Sequence, residues 1–154
     1  MKKRIVSVLM VLCIMGSFSL PCSSASVSDN VVEDIDEEIR LGEMELISQL
    51  VEAEAGNQSL DGKRLVVDVV LNRVDSPYFP DTVEEVIFEP GQFSVIDNGA
   101  FDDAAWHMQD DDYTAVELEY KKRTNSKVLY FANKKHLVSG KGMAFKVGGH
   151  WFNN

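Results

Sequence analysis

One acidic side chain stands where an apolar one is expected. Ile47, Leu50 and Val51 recur at helical spacing, and the next helical step reaches Glu54. At about 100° per residue, Glu54 falls inside the apolar arc and Glu52 points roughly the opposite way. A carboxylate turned towards a core loses hydration, which disfavours the charged form and raises the pKa. A carboxylic acid still protonated near neutral pH is what a glycosidase uses to protonate a leaving oxygen. Glu54, not Glu52, is therefore the candidate general acid. Periodicity alone also accommodates a glutamate at a frayed helix end that reaches water or caps a neighbouring helix.

Other side chains suit a sugar. Gln92, Phe93 and Ser94 follow the turn Pro90-Gly91. An amide bonds hydroxyl or N-acetyl groups and an aromatic ring packs on a pyranose face; the alternative is a loop anchored by a buried Phe. Tyr130, Phe131 and Asn133 carry the same two readings. On a strand, Tyr130 and Phe131 point to opposite faces, so at most one of them lines a cleft. His150 follows two glycines, where it could orient Glu54, contact substrate or be structural. A hydrolase would want a second carboxylate, about 5 Å or about 6.5–9.5 Å from the first. Asp61, Glu85, Glu89 and Asp97 are possible and more in keeping with solvated surface. The histidines, His107, His136 and His150, show no H-E-x-x-H or other ligand spacing, so no metal or cofactor is expected. Asp110-Asp111-Asp112 reads as a solvated helix start, with calcium attraction as the lesser alternative.

The elements that must position these groups follow from patterning. A helix is expected over Glu43–Ala55, ended by Gly56-Asn57. Ser59 then caps a second helix to about Val74, apolar on most of its surface through Val66, Val67, Val69, Val70 and Leu71, hence central. Ser76-Pro77-Tyr78-Phe79-Pro80 is a rigid loop with exposed aromatics. Thr82 caps a short helix, Val83–Phe88, which Pro90-Gly91 stops; residues 92–95 lie on a loop and 98–106 are ambiguous. Asp111 or Asp112 caps a helix to about Arg123, acidic early and basic late, as the helix dipole prefers. Residues 128–132 form the best strand, and 145–152 a second strand or hairpin. The class is α+β, mostly helical, in a single domain with a small β element near the C-terminus.

The chain begins Met1-Lys2-Lys3-Arg4, then runs apolar from Ile5 to about Leu20, then reaches Pro21 and the small residues Ser23, Ser24 and Ala25. That layout is a secretory signal peptide over residues 1–25. The run falls short of the roughly 20 residues that span a bilayer. Both cysteines, Cys13 and Cys22, lie inside it, so a cleaved chain has no disulfide, cysteine nucleophile or thiolate zinc site. The 154 residues carry 15 Lys+Arg against 25 Asp+Glu, a formal charge of -10; removal of Lys2, Lys3 and Arg4 leaves 12 against 25, or -13. This balance excludes nucleic acid and electrostatic binding to an anionic membrane. Residues 26–42 are acidic and form a leading helix or, slightly preferred, a solvated tether. The expected location is extracytoplasmic, secreted and associated with the cell wall.

The segments Ala53-Glu54-Ala55-Gly56, Asp61-Gly62-Lys63, residues 69–74, Ser76 to Val83, Pro90-Gly91-Gln92-Phe93-Ser94, Leu129 to Asn133 and Gly149-His150-Trp151-Phe152 together resemble cell wall hydrolases of the SleB/CwlJ type. The resemblance covers roughly Leu46 to Phe152. It implies a lysozyme-like, lytic-transglycosylase-like fold acting on peptidoglycan glycan strands between N-acetylmuramic acid and N-acetylglucosamine, with Glu54 at the family's catalytic glutamate. Where the family often has Gly before that Glu and a second Glu after the following Gly, this chain has Ala53 and, approximately, Gln58. The wall-binding repeats of some members are absent. A lytic transglycosylase needs no second carboxylate, because the muramic acid 6-hydroxyl is a tethered nucleophile. The alternatives are an N-acetylmuramoyl amidase, a muramidase-type hydrolase, or an inactive peptidoglycan-binding module. The excess of negative charge favours a substrate poor in anionic polymer, such as spore cortex. A regulatory protein partner is left open.

Overall fold

Long runs of helix-forming residues without an interior proline dictate a mainly helical chain. The computed structural model describes the backbone from Val27 and the side chains from Ile35, in each case to Asn154. The signal-peptide segment lies outside the described residues. Six helices come first: α1 (Val27–Ala55), α2 (Leu60–Val74), α3 (Val83–Phe88), α4 (Ser94–Asp97), α5 (Ala100–Ala104) and α6 (Asp110–Lys121). Three short strands follow, β1 (Tyr130–Ala132), β2 (Phe145–Val147) and β3 (His150–Asn153).

Helix α1 begins far earlier than Glu43. The acidic stretch from Val27 is no tether but the first half of one 29-residue helix. Glu and Arg are good helix formers, and Glu37 and Arg40 pair one turn apart along its exposed surface. Gly42 alone does not break the ladder.

Helix α2 is central, as its valines predict. It packs against α1, α3 and α6, and Leu65 to Arg73 are all buried. Ser59 sits at its N-cap with extended backbone, although its hydroxyl makes no capping bond. The core joins Ile47, Leu50 and Val51 of α1 to Val66, Val67, Val69 and Val70 of α2, all fully buried. Thr82 caps α3, its side chain accepting from the Glu85 amide.

Three boundaries differ from the sequence reading. Residues 94–97 are a helical turn rather than loop, and 100–104 resolve into α5. Helix α6 is capped by Gln109, not Asp111 or Asp112, and ends at Lys121. Asp112 is the third helical residue, and its carboxylate accepts from the Gln109 amide at 2.8 Å, closing a capping box. Packing turns it inward, where its side chain and that of Asp111 each lie 2.8 Å from the fully buried Lys63.

The strands form an antiparallel sheet of order β1-β3-β2. Phe131, Phe152 and Phe145 are directly opposite one another and share a face, with ring centroids 5.9 and 5.7 Å apart. A row of polar groups on α2 anchors the segment entering β1. Asp68 accepts from the Asn125 amide, Asn72 donates to the Asn125 and Val128 carbonyls, and Arg73 Nε donates to Leu129 O at 2.9 Å. These residues lie at or near helical spacing, so one stripe of α2 fixes where the sheet sits.

Candidate active site

Glu54 occupies the last turn of α1, immediately after the buried Leu50 and Val51. It is half-buried, and burial raises its pKa above the usual glutamate value. No hydrogen bond or ion pair with any described residue holds its carboxyl. It lines a groove of about 470 Å³ between the end of α1, the turn before α4, and the sheet.

Helical spacing places Glu52 on the opposite side of α1 from Glu54, and α2 and α6 cover that side. Burial and the nearby Asp112 carboxylate raise the Glu52 pKa as well, yet Glu52 does not line the groove. Among the described residues, Glu54 is the only carboxyl that does.

The turn joining β2 to β3 carries His150 to the groove. Gly148 has φ of +55°, and a Cβ there would lie 2.5 Å from Gln58 Oε1. That oxygen accepts from the Gly149 amide at 2.6 Å. Gln58, standing near the place of the family's second glutamate, thus ties the end of α1 to the sheet. His150 is 8 % exposed, and its ring meets Phe131 edge-on at 5.3 Å. Burial lowers its pKa, so the imidazole is neutral at pH 7, and its Nδ1 has no hydrogen-bond partner among the described residues.

Gln92, Ser94 and Asn133 present exposed side chains to the same groove, and none of these three side chains bonds to a described residue. Two sequence-based expectations need correction. Phe93 is 2 % exposed and lies behind the groove, against Phe131 and Arg73, because its apolar ring completes the core. Tyr130 faces a separate hollow shared with Tyr78 and Lys141. Strand alternation puts Phe131, not Tyr130, on the groove side. Sequence reasoning missed Arg73 and Leu137 as groove residues. Arg73 carried a signal, being a cation within a helix otherwise read as core.

The possible second carboxylates do not converge on Glu54. Asp61 and Asp97 are exposed elsewhere, and Glu85 and Glu89 line a different, open hollow of about 880 Å³ with Phe88. Among the described residues, no group of three or more His, Cys, Asp or Glu side chains is placed to hold a metal ion, and no helix is long and apolar enough to cross a membrane.

A helical domain ending in a small sheet, with one desolvated carboxyl in a polar-rimmed groove, has the form of a glycan-cleaving enzyme domain. Residues 57–153 match the family described as Cell Wall Hydrolase, and the chain belongs to that family. Glu54 lies three residues before the matched span. The spore cortex-lytic enzyme of Oceanobacillus iheyensis is 40% identical over 57 residues, which is 37% of this chain and 21% of that protein. That of Halalkalibacterium halodurans is 42% identical over 57 residues, or 37% of this chain and 17% of its length. The chain thus spans about a fifth of the curated relatives it matches. Among solved structures, the catalytic domain of the germination-specific lytic transglycosylase SleB from Bacillus anthracis superposes with a TM-score of 0.58 at 27% identity, over 71% of this chain and 92% of that one. The catalytic domain of Bacillus cereus SleB gives 0.61 at 28% identity, over 71% and 88%.

Proposed function

We propose that this chain degrades peptidoglycan as a lytic transglycosylase, cutting the glycan between N-acetylmuramic acid and N-acetylglucosamine. The observation that carries this is the solitary carboxyl. Glu54 is the one acid among the described residues that lines the groove, and burial favours its protonated form. The SleB likeness supports the same reaction. In the first half, Glu54 gives its proton to the glycosidic oxygen as the bond to the muramic acid C1 breaks. In the second, the resulting carboxylate takes the proton of the muramic acid 6-hydroxyl, whose oxygen closes on C1. The product is a 1,6-anhydro ring, no water is consumed, and Glu54 ends protonated as it began. The nucleophile is part of the substrate, so no second carboxylate is needed to position a water. Gln92, Ser94, Asn133 and neutral His150 offer donors and acceptors for sugar hydroxyl and N-acetyl groups, and Phe131 offers an apolar wall.

The chain acts outside the cytoplasm on the wall, with residues 1–25 as its export signal. Its acidic balance suits a cortex poor in anionic polymer. Mass spectrometry of the soluble products from purified peptidoglycan tests the chemistry. Anhydro-muropeptides are expected; ordinary reducing ends alone would identify a muramidase-type hydrolase, free stem peptides an amidase, and retention on peptidoglycan without release an inactive binding module.

A further inference from the structure

Charge is divided between the two parts of the fold. Residues 124–154, which hold the sheet, carry Lys127, Lys134, Lys135, Lys141 and Lys146 and no Asp or Glu, a formal +5. Residues 26–123 carry all 25 acids against seven Lys+Arg, or -18. Two of the sheet cations converge on one ring. Trp151 of β3 lies directly opposite Ala132 of β1 and Lys146 of β2, so it points away from the stack of Phe131, Phe152 and Phe145. The Lys135 ammonium lies 5.2 Å from the Trp151 ring centre and that of Lys146 5.9 Å. An indole face holds an ammonium group without neutralising it. Lys134, Lys135 and Lys146 are exposed, and none of these three side chains has an ion pair or hydrogen bond with a described residue. This basic face adjoins the Glu54 groove: Ala132, Asn133 and Leu137 line the groove, and Lys134 and Lys135 stand between the last two.

We propose that Lys135 and Lys146, held at Trp151, together with the neighbouring Lys134, form a docking surface for the carboxylates of the stem peptide that hangs from a muramic acid residue in the groove. This rests on the reading of the chain as a peptidoglycan enzyme and adds the part of the substrate outside the glycan that it recognises. In peptidoglycan the muramic lactyl carboxyl is taken up in the amide bond to the stem, so the anionic groups of the strand are those of the stem's acidic residues and free C-terminus. The stem leaves the sugar at the groove, and the rim on the sheet side is the lysine-bearing one, so placement and charge agree. A long polyanion fits less well. It would run on past the helical part, whose -18 repels it, whereas a stem presents a few carboxylates within short reach of the sugar. Local charge decides the contact, since at about 0.1 M salt exposed acids beyond roughly 10 Å are largely screened. The Trp151 ring holds two of the ammonium groups in place before the peptide arrives, which reduces the ordering cost of binding.

The test uses the full chain carrying Glu54→Gln, so that bound sugar is not consumed. Its affinity is measured by calorimetry, at low and at high salt, for three compounds. The first is a tetrasaccharide of alternating N-acetylglucosamine and N-acetylmuramic acid bearing stem peptides. The second has every stem carboxyl converted to a primary amide, and the third has no stem, its lactyl groups ending in a methylamide. The free stem is expected to bind roughly 3- to 30-fold more tightly than the amidated one at low salt, as two exposed ion pairs provide, and the gap should close at high salt. Adding Lys135→Gln and Lys146→Gln should bring that ratio within about twofold while leaving affinity for the stem-free sugar unchanged. Lys135→Arg with Lys146→Arg should retain the ratio. Lys121→Gln with Lys122→Gln, an equal change of charge at the exposed end of α6, should also retain it. A merely structural pair would weaken all three compounds together. Equal binding of free and amidated stems by the parent, a ratio surviving Lys135→Gln and Lys146→Gln, or an equal fall in the α6 variant would overturn the proposal. So would lysine-dependent binding of a soluble glycerol phosphate polymer more tightly than the peptide-bearing sugar, which would make the face a site for wall polyanions. Should the double glutamine variant not fold, the side-chain resonances of Lys135 and Lys146 in the parent decide, since they must shift with the free stem and not with the amidated one. Failure to bind any of the three compounds would remove the peptidoglycan reading as well, whereas equal binding of all three removes only this proposal.

Discussion

Replacing Glu54 with Gln should uncouple activity from stability. The two side chains have the same shape, so the groove keeps its form. The amide cannot give up a proton to the glycosidic oxygen or accept one from the 6-hydroxyl. A positioned acid or base contributes about 10²–10⁴-fold, or about 2.7–5.4 kcal/mol of barrier. No other carboxyl of the described residues lines the groove to take over, and Glu54 serves in both halves of the proposed reaction, so the loss should lie at the upper end of that range. Stability should move the other way. Glu54 has no hydrogen bond or ion pair with a described residue to lose, and burial is what raises its pKa. The folded protein therefore holds the proton to higher pH than the unfolded chain, whose reference value is 4.5. Between the unfolded and folded pKa, stability falls as pH rises, because ionisation is penalised only in the folded state. Glu54→Gln has no such penalty. It should be as stable as the parent near pH 4.5 and equally or more stable at pH 7. Release of muropeptides followed by mass spectrometry, with thermal melts at both pH values, checks the two halves together. Activity within a few-fold of the parent would refute the catalytic assignment. A variant less stable at pH 7 than at pH 4.5, relative to the parent, would refute the account of the carboxyl's surroundings.

Asp68 is fully buried, and burial together with a hydrogen bond to Glu119 pushes its pKa from 3.8 up to about 8. Stability should fall between about pH 4 and pH 8, and Asp68→Asn, which retains an acceptor for the Asn125 amide and a donor for Glu119, should flatten that slope in melts across the range. Lys63→Met removes the cation between Asp111 and Asp112 and should cost about 3–5 kcal/mol in denaturant titrations, since it strands a buried carboxylate. Phe152→Ala empties the centre of the ring stack on the sheet; a loss of about 3–5 kcal/mol is expected by the same measurement. Phe131→Ala should raise KM on solubilised glycan strands by about tenfold or more, whereas Tyr130→Phe should leave it unchanged, the two side chains lying in different hollows.

Local rules determined much of this protein. The stripe Ile47, Leu50, Val51 and its intruder Glu54 is a periodicity, and periodicity is written in the chain. So are the Thr82 cap, the stop at Pro90-Gly91, and the two glycines that turn β2 into β3. The order of the family-like segments also places Gln92, Ser94, Asn133 and His150 with Glu54, and they do meet in one groove. Tertiary packing decided what each of those groups faces. Whether Glu52 meets water depends on α2 and α6 covering that side of α1, which no local pattern encodes. Tyr130 left the groove because a strand has two faces, and only the stacking of Phe131 on Phe152 selects which one turns towards Glu54, whereas Phe93, in the turn before α4, left it because its ring completes the core. Arg73 became part of the groove wall because α2 lies beneath the sheet, 56 residues away in sequence from the carbonyl that its Nε bonds. Sequence spacing fixes direction along an element, but exposure and charge environment are properties of the elements that pack against it.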